Sequence, residues 1–222
     1  MVIAVLLLEA LGVAALCCLE PDRIGMFNAL FLAVSSCCNA GFAPWQDNLA
    51  QWRGHWGVNL TVMTLSTLGG IGYFVAEDLL RVRRAQAARM LRRRRTPYPL
   101  DPCTHESVGA LRLSHYSRVV LTTSFFLVCG GTAAIFLLEA GNAAWEGAPG
   151  GERFLMALFQ SVTSRTAGFA TADMAMMTDA ALLVTAALMV IGGSPGSCAG
   201  GIKTTTFRIL WGMMISRLRG HG

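Results

Sequence analysis

Long apolar runs alternate with short polar segments along most of the chain. A helix that crosses a bilayer needs about 20 mostly apolar residues. Residues 2–19 (VIAVLLLEALGVAALCCL), 56–76 (WGVNLTVMTLSTLGGIGYFVA) and 118–139 (RVVLTTSFFLVCGGTAAIFLLE) are therefore predicted to span. No basic segment precedes the first run and no clear small-residue cleavage site follows it, so it reads as a span and not a signal peptide. A fourth run extends from about 180 to 215, but GGSPGSCAGGIK at 192–203 interrupts it with five glycines and a proline. In a helix interior those residues cost about 1 and 3 kcal/mol each. Apolar helix resumes after the break as FRILWGMMI (207–215), which predicts a discontinuous membrane helix of the kind that lines a cavity or gate. A phosphate-binding loop is excluded there, because Ile202 separates Gly201 from Lys203 and no strand precedes it.

Two further segments, MFNALFLAVSSCCNAGFAPW (26–45) and RFLMALFQSVTSRTAGFATA (153–172), each hold an apolar run of helical character, only about ten residues long, before a polar stretch, too short to span and too apolar for surface loops. Runs of about 10–14 residues suit re-entrant segments. At an offset of 127 residues they align Phe27 with Phe154, Ser36 with Thr163, and Ala40-Gly41-Phe42-Ala43 with Ala167-Gly168-Phe169-Ala170. The predicted fold is an all-α membrane protein with two span–pore-loop–span repeats, re-entrant half-helices and a broken last helix. Non-helical backbone survives at membrane depth only where protein or water satisfies it. A short helix dipping inward ends in partial negative charge, and carbonyls of an extended turn can replace a cation's hydration shell. Gly41 and Gly168 suit such a turn because glycine reaches positive φ without a Cβ clash. A single Ala-Gly-Phe would read as a helix C-cap, but two in matched context favour a pore.

The composition agrees with the pattern: 54% of residues are apolar and 14% charged, with mean hydropathy +0.51. Soluble domains run nearer 45–50% and about 25%. The net charge is +5, and its placement sets the topology. Of the 18 Lys and Arg residues, ten fall between the second and third spans and four follow the broken one. The positive-inside rule therefore puts 81–116 and the C-terminus in the cytoplasm. The outer segments hold Glu20, Asp22, Asp47, Glu146, Glu152, Asp173 and Asp179, which favours approach of cations. The arginine-rich stretch 81–95 contains no aromatic residue on which a base could stack, so nucleic acid is not an expected partner. Its charge suits the lipid bilayer's anionic cytoplasmic face.

Cysteines 17, 18, 37, 38, 103, 129 and 198 form no CxxC and read as small reduced hydrophobic residues. Histidines 55, 105, 115 and 221 have no ligand spacing, and no nucleophile–base or paired-carboxylate set stands out, so neither a metal cofactor nor an enzyme is expected. Glu9, embedded in the first span, is a functional candidate by cost alone. Arg165 is expected to brace the second turn from behind against Asp173 or Glu152. Lys203 is expected either to neutralise carbonyls or a carboxylate or to mark the cytoplasmic edge. Glu77 and Asp78 read as a solvated edge paired with the arginines.

Ser164-Arg165-Thr166-Ala167-Gly168-Phe169, followed about 20 apolar residues later by Ile191-Gly192-Gly193-Ser194-Pro195-Gly196-Ser197-Cys198-Ala199-Gly200-Gly201-Ile202-Lys203-Thr204-Thr205, closely resembles the third repeat of the Trk/Ktr/HKT potassium transporters. Cys38-Asn39-Ala40-Gly41-Phe42 resembles the second repeat's filter, with Cys38 where Asn is more usual, and Thr67-Leu68-Gly69-Gly70-Ile71-Gly72 resembles the end of that repeat's last helix. The resemblance implies uptake of K+ (or Na+) through a four-repeat pore in a bacterial inner membrane, with no cofactor. It implies ion-filter positions at Cys38, Asn39, Ala40, Gly41, Phe42, Thr166, Ala167, Gly168 and Phe169. It also implies a gating loop containing Gly192, Gly193, Ser194, Pro195, Gly196, Gly200, Gly201 and Lys203. The implied partners are a cytoplasmic nucleotide-binding regulatory subunit and a second copy of the full-length protein. The domains expected are a repeat over 1–80, a basic loop over 81–116 and a repeat over 117–215. Four repeats are required and two are present, so either the chain is part of a longer protein, which is the expectation, or two chains combine. The competing reading is a non-conducting membrane scaffold or assembly protein, which would tolerate bulky replacements at both glycines.

Overall fold

The computed structural model describes residues 2–95, 113–145 and 147–220. The first apolar run forms α1 (Val2–Leu19) as predicted. It packs on α2 (Pro21–Cys37) and α3 (Trp56–Ile71), and Gly12 lets the three approach: a Cβ there would press to 2.7 Å on Leu65 and 3.4 Å on Ala33. Gly25 interrupts α2 with φ 64° and ψ 159°, so its continuous part covers little more than the apolar run from Met26. The chain then turns back through an irregular outer segment and a short 3-10 turn, Ala50–Trp52, into α3.

The predicted span 56–76 is not one helix. It ends at Ile71, Gly72 takes φ 82°, and α4 (Tyr73–Arg95) leaves at 98° to α3. Hydropathy alone misses this break because Tyr73, Phe74, Val75 and Ala76 prolong the apolar run on its far side. α5 (His115–Leu138), at 24 residues, is long and apolar enough to cross a membrane unbroken, while the apolar helices Ile3–Leu19 and Asp179–Val190 are shorter. α5 packs on α6 (Gly150–Thr163) and α7 (Asp179–Val190), and the fourth run resumes as α8 (Thr204–Leu218). The loop 192–203 separates these last two, as the sequence anticipates. Among the described residues no strand forms, and the β-type pairing is an isolated parallel bridge between Ile191 and Ile202.

Each half closes on itself through a glutamate at the end of its long helix. In the first, Glu20 lies 3.2 Å from His55 Nε2, and His55 Nδ1 accepts the Val58 N–H as the N-cap of α3. In the second, the fully buried Glu139 accepts from the Thr178 N–H and hydroxyl, both at 2.8 Å, and from the Asn142 amide. Thr178 is the N-cap of α7. A buried carboxylate left without partners costs several kcal/mol, so these three donors are what make Glu139 tolerable.

One core joins the halves. Leu16, Leu32, Trp52, Val62 and Leu65 cluster with Leu155 and Phe159 of α6 and with Phe169 beyond it. Ile135, Trp145, Met156, Met177 and Leu188 form a second core around α5, α6 and α7. Outward, α1 exposes Ile3, Leu6, Leu7 and Leu11, α5 exposes Phe125 and Phe126, and α8 exposes Ile209, Leu210 and Trp211. Apolar patches of that extent are covered by lipid or by other protein.

Candidate functional site

The two Ala-Gly-Phe turns follow the C-terminal ends of α2 and α6 and meet each other. Gly41 has φ 75° and Gly168 has φ 82°. A Cβ on Gly41 would lie 2.8 Å from Gly168 Cα and 2.9 Å from the Ala167 carbonyl oxygen. A Cβ on Gly168 would lie 3.1 Å from Gly41 Cα. Both positions therefore require glycine twice over, for the left-handed backbone and for the contact.

The repeat extends to the backbone before each glycine. Asn39 and Thr166, again 127 positions apart, are two of the three non-glycine residues with positive φ among those described, at 52° and 76°. Asparagine tolerates that conformation, whereas a β-branched threonine there is a true outlier. The phenylalanine carbonyl of each turn is tied back to its helix by a hydroxyl. Ser35 Oγ donates to Phe42 O at 2.7 Å, and Thr163 Oγ1 donates to Phe169 O at 2.7 Å. The third positive-φ residue, Asn48 (φ 54°), stands between the turns. Its Nδ2 donates to Gly41 O at 3.2 Å, its Oδ1 accepts from Ala170 N at 3.3 Å, and the next residue's N–H donates to Ala170 O at 3.0 Å. Among the described residues, the carbonyls of Ala40, Ala167 and Gly168 accept no protein hydrogen bond.

The remaining filter candidates sit around this contact. Cys38 and Ala40 are exposed at the end of α2, and Phe42 is 69% exposed whereas Phe169 is 1% exposed. With its amide turned so that donor meets acceptor, Asn39 donates to Ser66 O at 3.1 Å and accepts from Gly70 N at 3.3 Å, which anchors the first turn to the end of α3. Glu9, at mid-length in α1, lies near the Cys37 thiol beside the turn.

The loop 192–203 docks on the break between α3 and α4. Ser194 N donates to Gly70 O at 3.2 Å, Tyr73 N donates to Gly196 O at 3.1 Å, and the Ser194 hydroxyl bonds Ile71 O. Those contacts satisfy backbone groups that a broken helix leaves without partners. The two arms of the loop hold each other through Gly192 N to Ile202 O at 3.0 Å and Ile202 N to Val190 O at 2.9 Å. Gly192 and Gly193 are pressed against Gly200 and Ala199, where a Cβ would overlap, and Gly196 and Gly201 take φ 73°. Lys203 Nζ donates to Ala199 O at 2.6 Å, so it serves a carbonyl of its own loop. Pro195 O accepts from the Tyr116 hydroxyl at 3.2 Å, which adds α5 to the junction.

Arg165 does not pair with Asp173 or Glu152, contrary to the sequence reading. Glu152 is taken by Arg53 at 2.7 Å, and Asp173 caps its own turn by accepting from Ala175 N. Arg165 instead donates to Ser124 Oγ and to Gly192 O, each at 3.2 Å, and so links the second turn to the 192–203 loop. Asp78 also departs from expectation: it is buried and accepts from Ser114 N at 2.8 Å, instead of facing solvent beside the arginines. Part of the basic loop lies outside the described residues. Asn48, Ser124, His55 and Glu139 carry this architecture without any sequence pattern that marks them, since each acts through a partner remote in the chain.

Comparison with known proteins gives the family and the fold. Residues 1–221 match the family described as TrkH, cation transport protein. The chain is 32% identical over 197 residues to Ktr system potassium uptake protein B of Bacillus subtilis (strain 168), covering 88% of this chain and 39% of that protein. It is 32% identical over 196 residues to potassium/sodium uptake protein NtpJ of Enterococcus hirae, covering 88% and 38%. The crystal structure of the potassium transporter TrkH from Vibrio parahaemolyticus shares the fold, with TM-score 0.71 at 18% identity over 96% of this chain and 39% of that one. The chain thus spans about two fifths of the length of these relatives. It belongs to the TrkH family of membrane cation transport proteins.

Proposed function

We propose that this chain supplies two of the four repeats of a pore that takes up K+ across the bacterial inner membrane. Residues 1–80 and 117–215 are the repeats, 26–45 and 153–172 their re-entrant pore loops, 192–203 the gating loop and 81–116 the basic cytoplasmic connection. The observation that carries the reading is the backbone at Thr166. A β-branched residue at φ 76° costs about 1–3 kcal/mol and persists only where its surroundings enforce it. Asn39 repeats that conformation 127 positions earlier, and each precedes by two residues a positive-φ glycine in contact with the other.

The chemistry follows from the same geometry. Carbonyls of Ala40, Ala167 and Gly168, which accept no hydrogen bond among the described residues, are available to replace a cation's water shell. The helix ends at Cys37 and Thr163 contribute partial negative charge toward it. Phe42, open where Phe169 is buried, marks the face on which another repeat packs. K+ is the preferred cargo, with Na+ as competitor, in keeping with relatives named for potassium and for potassium/sodium uptake. The 192–203 loop is the gate, and the cavity of about 680 Å³ walled in part by Ser66, Phe125, Phe126, Arg165 and Gly193 gives it room to move. A nucleotide-binding cytoplasmic subunit regulates the gate, and the full-length protein pairs as a homodimer.

The test is growth of a K+-uptake-deficient bacterium at low external K+. It expresses this 222-residue chain or a version extended by its flanking reading frame. The extended protein is expected to restore growth, and Gly168→Asp is expected to abolish it at equal membrane abundance. Wild-type K+ uptake and selectivity in both Gly41→Asp and Gly168→Asp would overturn the filter assignment.

A further inference from the structure

We propose that Asn48 is a selectivity-determining positioning residue, which fixes the spacing and carbonyl orientation of the two turns from outside the filter sequence. The inference rests on the pore reading above and adds to it a residue that belongs to neither repeated motif. One amide joins both turns. Its Nδ2 holds the Gly41 carbonyl at 3.2 Å, and its Oδ1 holds the N–H of Ala170, two residues past Gly168, at 3.3 Å. Leu49 N closes a second bond to Ala170 O at 3.0 Å, so residues 48–49 clamp the second turn through both its donor and its acceptor.

Three features separate this from an ordinary loop contact. First, the bond to Ala170 joins positions 122 apart in sequence, and with the bond to Gly41 it falls where the Gly41 and Gly168 backbones touch. Any change in the clamp is therefore transmitted to the approach of the two glycines. Second, Asn48 is itself held at φ 54°, a conformation that asparagine tolerates better than nearly any other non-glycine residue. Both the amide and the backbone thus specify the residue. Third, the clamp is one-sided. The position 127 residues after Asn48 is Ala175, which has no amide to offer, and among the described residues Gly168 O accepts no protein hydrogen bond. Gly41 O is therefore turned toward protein and Gly168 O is left for an ion, so the two repeats contribute unequally. Discrimination between ions of different radius depends on how firmly the ring of carbonyls is held and how many it contains. A clamp on one carbonyl acts on both.

The experiment compares wild type, Asn48→Asp and Asn48→Leu in the extended protein that supports uptake. Asn48→Asp keeps the acceptor for Ala170 N and loses the donor to Gly41 O, whereas Asn48→Leu loses both. Uptake of Rb+ (as a K+ tracer) and of Na+ is measured in cells at matched membrane abundance. Thermal protection of the purified protein by K+ and by Na+ gives a reading independent of flux. The expected result is a fall of about tenfold in K+-over-Na+ preference for Asn48→Asp, the scale of one hydrogen bond. Asn48→Leu is expected to fall at least as far in whichever of the two readings it survives. A merely structural role would lower abundance or maximal uptake and leave the ion ratio alone. An unchanged ratio in Asn48→Asp, with K+ uptake intact, overturns the inference and leaves the pore reading standing. Failure of the wild-type protein to carry or be protected by either ion overturns the pore reading, and this inference with it.

Discussion

At the scale of single residues, the site is a set of backbones brought too close for side chains. Gly69 is a sharp case inside a helix: its Cβ would overlap the Cys37 carbonyl, because the ends of α2 and α3 touch there. Gly69→Ala is expected to destabilise the protein by about 1–3 kcal/mol, the usual cost of overpacking. The measurement is a lower midpoint of thermal unfolding in detergent. Gly130, in α5, is the matched control, since a methyl group there would meet nothing within 4 Å. Gly130→Ala is expected to be neutral or to gain up to about 1 kcal/mol. Sequence alone distinguishes Gly41 and Gly168 because they recur in matched context. It cannot distinguish Gly69 from Gly130, since which glycine meets a neighbouring backbone depends on packing that no local pattern encodes. Asn48 is illegible for the same reason, as its partners lie in two other segments. Arg165 is visible as a residue but its partner is not, because the nearest acids in sequence already have closer partners.

At the scale of elements, the half-helices and the interruption at 192–203 are legible, because apolar run length and glycine density report directly on helix continuity. The break at Gly72 is not, since one glycine costs about 1 kcal/mol and the apolar run continues past it. Asp78 depends on that break, for α4 must turn away before its carboxylate can reach the start of α5. The Ser114 N–H, followed by the Ser117 and Ser114 hydroxyls, bonds its charged form and holds the carboxyl below its ordinary value of 3.8 despite some desolvation. A carboxyl with a depressed value in the folded state contributes stability that is present above pH 3.8 and is lost as pH falls through the folded value. Wild-type protein is therefore expected to lose more thermal stability between pH 5 and pH 3 than Asp78→Asn does. Equal losses would mean that the capping bond carries no net stability.

At the scale of the whole molecule, the two halves share one core and a surface ion pair, and these differ in weight. The cluster that takes in Leu16, Trp52, Leu155, Phe159 and Phe169 is buried and independent of salt. Arg53–Glu152, with side chains 44% and 20% exposed, is a pair that typically contributes under about 1 kcal/mol. Arg53→Ala is expected to shift the unfolding midpoint by about that amount in low salt and to have no measurable effect in 1 M NaCl, where screening is nearly complete. A large, salt-independent loss would show that Arg53 serves the loops and not only the pair. The matched Ala-Gly-Phe turns are legible from their 127-residue offset, but the way one half's core absorbs the other's short helix is not.

The inequality of the two turns has a consequence for how such a molecule can change over generations. In a ring made from four copies of one subunit, every replacement is made at all four corners at once, so most alterations are drastic. In the proposed pore the two corners that this chain supplies each have their own codons. Asn48 could be acquired without an amide appearing at Ala175, and Phe42 and Phe169 could settle into different surroundings. Ion preference in the proposed pore can therefore drift by small steps, one corner at a time.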